Sequence, residues 1–149
     1  MLLKQKVYQY FSGMLDEKIA SLQNVLDDLK QSGANETKST AGDKHETALA
    51  MLQIEQANKR AQLQELLQQK AVLNKIDPSL QTVQVVNGSL IATGGAYYFI
   101  SAALGKTIID EKTVIALSAQ SPLGTLMMGM KKGDRIVFNR NEIIINDIQ

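Results

Sequence analysis

The 149-residue chain has no cysteine, no tryptophan and a single histidine. Without a thiol there is no disulfide, no thiolate metal site and no cysteine nucleophile, and one imidazole is too few for the usual zinc centre. Proline is scarce, at two residues, and aromatic residues make up 5% of the chain, which argues against the aromatic-lined groove that proline recognition favours. Charge of neither sign prevails: 16 Lys and Arg stand against 15 Asp and Glu, a formal net charge of +1. Tight nonspecific binding to a nucleic-acid backbone therefore has no bulk electrostatic basis, and independent sequence-specific DNA binding is not expected. Long hydrophobic runs are missing too. The N-terminus, MLLKQKVYQYF, brings Lys4 and Lys6 before any sustained apolar stretch, and the uncharged segment from Pro78 to Gly105 is broken by Gln81, Gln84, Asn87 and Gly94-Gly95. Neither is a secretory signal or a membrane span, so a cytoplasmic location with no membrane partner is expected.

What is present is a foldable chain of one domain or two small units, 44% apolar and 21% charged, near the averages for globular proteins. Glycine and proline divide it unevenly: Gly13, Gly33 and Gly42 precede Asp77, whereas the other seven glycines and both prolines follow it. Before that point Val7, Phe11, Met14, Leu15, Ile19, Leu22, Val25, Leu26 and Leu29 keep the three-and-four spacing of one helical stripe, predicting a helix over about 3–32. After the polar break QSGANETKSTAG, the run from Asp43 to Asp77 lacks glycine and proline, predicting a second helix over about 43–76. Its stripe passes from Met51, Ile54, Ala57 and Ala61 to Leu63, Leu66, Leu67 and Leu73, as though the buried face rotates near residue 62. The expectation is an antiparallel hairpin over residues 1–76 with its tip near 41–48, roughly 45 Å long at 1.5 Å per residue.

Residues 77–149 alternate β-rich runs with turn chemistry. LQTVQVV, Asn87-Gly88 and SLIAT read as a hairpin; Gly94-Gly95 leads into AYYFI, and TVIALS precedes Ser121-Pro122. A serine N-cap with proline at the first helical position opens a short helix that Gly129 closes. Lys132-Gly133-Asp134 then turns into RIVF, and EIIINDI ends the sequence. The fold class is α+β: a helical hairpin followed by a small, twisted antiparallel sheet with one short helix across it. Alternation through Tyr97, Tyr98 and Phe99 buries at least one of the three in the core.

The most chemically suggestive cluster is AGDKHETA, residues 41–48. Asp43 and Glu46, three apart, share a face of the first helical turn. Two carboxylates there could give oxygen ligands to Mg²⁺, which accepts partial protein coordination completed by water or phosphate. Asp-x-x-Glu is also a capping box, the reading that spacing alone favours. His45 reads as a solvated helix residue, and the neighbouring cations Lys59 and Arg60 as a solvated face.

GDKHETA resembles the GD-x-x-EN-A tip of the Gre transcription elongation factors, and ALSAQSPLGTLMMGMKKGD resembles their SP-x-x-x-x-L-x-G-x-x-x-GD segment, in the same order along the chain. The resemblance implies an N-terminal coiled coil and an FKBP-like C-terminal domain, here residues 77–149. It implies a partner, bacterial RNA polymerase, whose secondary channel receives the coiled coil, with the nascent RNA 3′ end met indirectly. By the same resemblance Asp43 and Glu46 are the catalytic and metal-holding residues. They share Mg²⁺ with the polymerase active site during cleavage of backtracked transcripts, and Ser121 and Pro122 belong to the surface that contacts the polymerase rim. The chain would be an accessory factor, the polymerase being the enzyme. Thr47 stands where the family usually has asparagine, Ala50 where an aromatic residue commonly follows, and Gln120 where an acidic residue is frequent. A channel-binding regulator that does not stimulate cleavage, and an FKBP-like peptide-binding module, are the alternatives.

Overall fold

The computed structural model describes the backbone of residues 1–38 and 43–149, with the side chains of residues 1–34 and 46–149. Ten elements follow in order: α1 (Leu3–Lys38), α2 (Asp43–Asn74), β1 (Leu90–Ala92), β2 (Tyr97–Ser101), β3 (Gly105–Ile109), β4 (Lys112–Ser118), α3 (Pro122–Met127), β5 (Arg135–Phe138), β6 (Asn141–Ile144) and β7 (Asp147–Ile148). The architecture is thus α+β, a helical hairpin followed by a small, mostly antiparallel β region with one short helix. No described helix is long and apolar enough to cross a membrane. The chain divides into two compact units, one of Met14–Lys70 and one that joins Met1–Gly13 to Ala71–Gln149. The shift in composition near residue 77 thus marks where helix gives way to sheet, while the compact units part at 13/14 and 70/71.

In the Met14–Lys70 unit the helices run antiparallel. Lys70 Nζ lies 3.0 Å from Asp16 Oδ1, and a Cβ placed on Gly33 would stand 3.9 Å from Gln56 Nε2. α1 contributes Leu15, Ile19, Leu22, Leu26, Leu29 and Gly33 to the sheltered seam, and α2 contributes Leu52, Gln56, Lys59, Leu63, Leu66 and Lys70. Both sets step by four and three residues, the 3.5-residue repeat of a coiled coil. Two expectations are corrected here. The first helix does not stop near residue 32 but continues to Lys38, because one interior glycine, Gly33, costs only about 1 kcal/mol and Ala34, Glu36 and Lys38 resume good helix formers. The buried face of α2 does not rotate near residue 62: Met51, Ile54, Ala57 and Ala61 are exposed, and a straight seam takes in Gln56 and Lys59 instead. Lys59 is therefore half-buried rather than part of a solvated face, whereas Arg60 is exposed.

In the second unit a five-stranded sheet has the order β3-β4-β2-β1-β7, with β5 and β6 forming a separate pair. All pairings are antiparallel except β2 with β4, where Tyr97 to Ser101 run parallel to Val114 to Ser118. One face of the sheet carries Leu90, Phe99, Val114 and Ala116; Phe99 is fully buried and stacks on Phe11 of α1 at 6.2 Å between ring centroids. The other face presents Ile91, Ile100 and Leu117 to a core completed by Val85, Met127, Ile136 and Ile145. Tyr97 and Tyr98 are half-buried.

The hairpin expected at Asn87-Gly88 is not formed. Residues 80–86 make no strand; Val85 instead bonds through its amide to Met130 O and through its carbonyl to Gly129 N, at 2.9 Å each. Gly88 does turn the chain, at φ 93°, but Ser89 Oγ then accepts from Val86 N, and the fully buried Val85 serves the core rather than a ladder. The two-residue hairpins lie elsewhere, at Asp110-Glu111 and Asn139-Arg140, all four at positive φ, the backbone of type I′ turns.

One charged residue is drawn inside this unit. Lys4, 5% exposed, donates from Nζ to Leu80 O at 2.6 Å. Burial pulls its ammonium below the usual lysine range, and nearby Asp77 offsets part of that shift. Asp77 is itself held below the usual carboxylate range, chiefly by the Ser79 hydroxyl and amide that bond its Oδ1 and secondarily by Lys4.

Candidate functional site

Two places carry the residues singled out from the sequence, one in each compact unit. The first is the start of α2. Asp43 is the first residue of that helix and Glu46 stands three residues on. Glu46 is exposed. The Asp43 and His45 side chains, and Ala41 and Gly42 entirely, lie outside the described residues. Among the described residues no three His, Cys, Asp or Glu side chains form a metal-holding group. Thr47 and Ala50, on the next turn, are also exposed.

The second place is the corner between β4 and α3. The chain leaves the sheet at Ser118, whose carbonyl oxygen accepts from Ser121 N at 3.1 Å and from Ser121 Oγ at 2.7 Å. Ser121, with extended φ and ψ of −66° and 160°, is the N-cap of α3, and its Oγ accepts from Gly124 N at 3.0 Å. Pro122 opens the helix, where a missing N–H costs nothing. Gly124 is required by space: a Cβ there would collide with the Ser118 carbonyl oxygen. Gln120 closes the loop, its amide and Oε1 both bonded to Ser118 Oγ. Gly129, just past the helix, takes a left-handed φ of 80°.

The donor of Ser121 and one of its lone pairs are thus committed within the chain. Pro122 is the exposed member of the pair. Leu126, one turn further and 40% exposed, shares its face of α3; sequence reading missed it because an i, i+4 pair on a six-residue helix has too little periodicity to register.

No protein-family model matches the chain, and no curated protein matches it. Among solved structures, that of the transcription factor Gfh1 is similar to this chain, with 14% sequence identity over 92% of each chain and a TM-score of 0.36.

The two places differ in charge. The Met14–Lys70 unit holds seven basic and nine acidic residues, and the sheet unit nine basic and six acidic.

Proposed function

We propose that this chain is a Gre-like transcription elongation factor that binds bacterial RNA polymerase, extends its helical hairpin into the secondary channel, and stimulates cleavage of backtracked transcripts. The observation that carries this reading is the pairing, in one chain, of a long antiparallel hairpin whose second helix opens on Asp43 and Glu46 with a β unit whose Ser121-Pro122 corner is rigidly capped. What supports it is that Asp43 opens α2 and Ser121 is the N-cap of α3. In this reading Asp43 and Glu46 hold a Mg²⁺ ion shared with the polymerase, which when bound activates water and offsets phosphoryl charge. The polymerase is the enzyme, and Pro122 with Leu126 gives the sheet unit an exposed apolar contact.

A second reading is a regulator of the same shape that occupies the channel without stimulating cleavage. Thr47 and Ala50 favour it: both are exposed on the turn beside Glu46, where the family pattern has a carboxamide and an aromatic ring.

The test is transcript cleavage on stalled bacterial elongation complexes, with binding measured in parallel. Asp43→Asn keeps a good N-cap and Glu46→Gln keeps a capping-box partner, so stability should change by less than about 1 kcal/mol. Each should still bind polymerase while cleavage falls at least about tenfold, the loss expected when a metal ligand and its positioned water go. Binding without stimulation by the parent protein makes the regulator the correct reading. Absence of binding removes both.

A further inference from the structure

Within the sheet unit a groove of about 440 Å³ separates the turn that joins β1 to β2 from strand β6. It shares no residue with the α3 corner and stands independently of the function proposed above. Three features of its walls have no explanation inside the chain.

The first is a free strand edge. β6 pairs with β5 alone. Because the Asn139-Arg140 turn is a two-residue type I′ turn, the closing pair Phe138–Asn141 is hydrogen-bonded and the pairs alternate from there. The N–H and C=O of Glu142 and Ile144 therefore point away from β5, and both residues line the groove.

The second is the pair Gly94-Gly95 on the opposite wall. Neither has a left-handed φ, and a Cβ added to either meets nothing within 4 Å. Glycine costs folding entropy wherever an alanine would fit, and here neither conformation nor packing requires it. Bare backbone on a groove wall does, however, let another main chain come close.

The third is the lining. Tyr98 and Ile143, both half-buried, pack against the core and also border the groove. The one charged side chain that lines it is Glu142, half-exposed and 3.1 Å from Arg135. The walls carry no basic residue, and the Glu142 carboxylate, partly offset by Arg135 outside the groove, can also meet a cation of an occupant.

We propose that this groove binds an extended peptide segment of a partner protein, which adds a strand to the free edge of β6. One apolar side chain of the peptide would sit on Tyr98 and Ile143, and a Lys or Arg beside it would face Glu142. Main-chain bonding to Glu142 and Ile144 supplies affinity and the side-chain contacts supply selectivity, the division of labour usual in strand addition.

The probe is a capped hexapeptide, acetyl-Lys-Val-Thr-Val-Thr-Lys-amide, titrated into the ¹⁵N-labelled full chain and followed by amide chemical shifts. Saturable shifts are expected at Gly94, Gly95, Glu142 and Ile144. The same peptide N-methylated at alternate amides cannot complete the ladder and should bind at least about tenfold more weakly, as should the parent peptide to a Gly95→Val variant whose side chain enters the groove. A peptide with both lysines replaced by glutamate should also bind more weakly. No saturable shift at millimolar peptide, shifts confined to other surfaces, or equal binding of the N-methylated peptide would overturn the proposal. The N-methyl comparison uses the parent protein, so the outcome does not depend on the variant folding.

Discussion

The two compact units are built on opposite principles of burial. In the sheet unit both faces of the sheet are covered, and Leu90, Ile91, Phe99, Ile100, Val114, Met127 and Ile145 are at or near zero exposure. Among the described residues of the hairpin unit Leu15 alone is fully buried, and every other seam position keeps some contact with water. Two helices meeting along one line can shelter a stripe but cannot enclose it. The sheet unit is therefore expected to carry most of the stability, and the hairpin to be held by many small contributions. The first turns of α1 and the last turn of α2 belong to the better-packed unit.

The widest contrast should come from truncating one side chain in each unit. Phe99→Ala removes a fully buried ring stacked on Phe11 and should cost about 3–5 kcal/mol. Leu22→Ala removes a half-buried seam residue and should cost about 1–2 kcal/mol. Urea denaturation measures both, with amide exchange showing which unit opens. Similar losses at the two positions would break the contrast. A smaller effect, of opposite sign, is expected from the seam itself. Gln56 and Lys59 occupy positions where a coiled coil ordinarily has leucine, and converting both to leucine should raise hairpin stability by about 1 kcal/mol per site. Slower amide exchange along α2 with unchanged exchange in the sheet would sharpen the picture. No change would mean that the two polar side chains already gain as much from their surroundings as leucine would.

How legible this was in the sequence depended on the period involved. The stripe from Leu15 to Leu29 is apolar at every seam position, so α1 could be read directly. α2 could be recognised as a helix from composition, but its seam is interrupted by Gln56 and Lys59 while Met51 and Ile54 face water, so the apolar residues traced the wrong face. The cap at Ser121-Pro122 was readable because it is local chemistry, one hydroxyl and one ring at fixed positions. Strand pairing is non-local and was read less well: Asn87-Gly88 promised a hairpin, yet Val85 is committed to Met130 and Gly129, contacts with no local signature. The free edge of β6, with the groove beside it, depends on register and was invisible. Of the acidic pair, the sequence could show only the spacing, because three-residue spacing at a helix start serves a cap as well as a cation and is commoner as a cap.

The hairpins that do form lack the glycine that announces such turns, and this leads to the smallest expected effect. Arg140 follows Asn139 in the turn between β5 and β6, at φ 66° and 51° respectively. Asparagine tolerates the left-handed region because its short side chain bonds locally, whereas arginine gains nothing there and meets its own Cβ penalty, about 1 kcal/mol. Arg140 is exposed, and its side chain is not needed for the ladder, which closes on Phe138 and Asn141. Arg140→Gly would create Asn-Gly, the preferred type I′ pair, and relieve that strain. Glycine also loosens the unfolded chain, which offsets part of the gain. The net expectation is a stabilisation of about 0.5 kcal/mol, read as a small rise in the denaturation midpoint of the sheet unit with no change in hairpin amide exchange. A loss of stability instead would show that the Arg140 side chain supports the β5–β6 pair. The strongly buried five-stranded sheet would then not be the sole source of order in its unit, and the contrast between the two units would narrow.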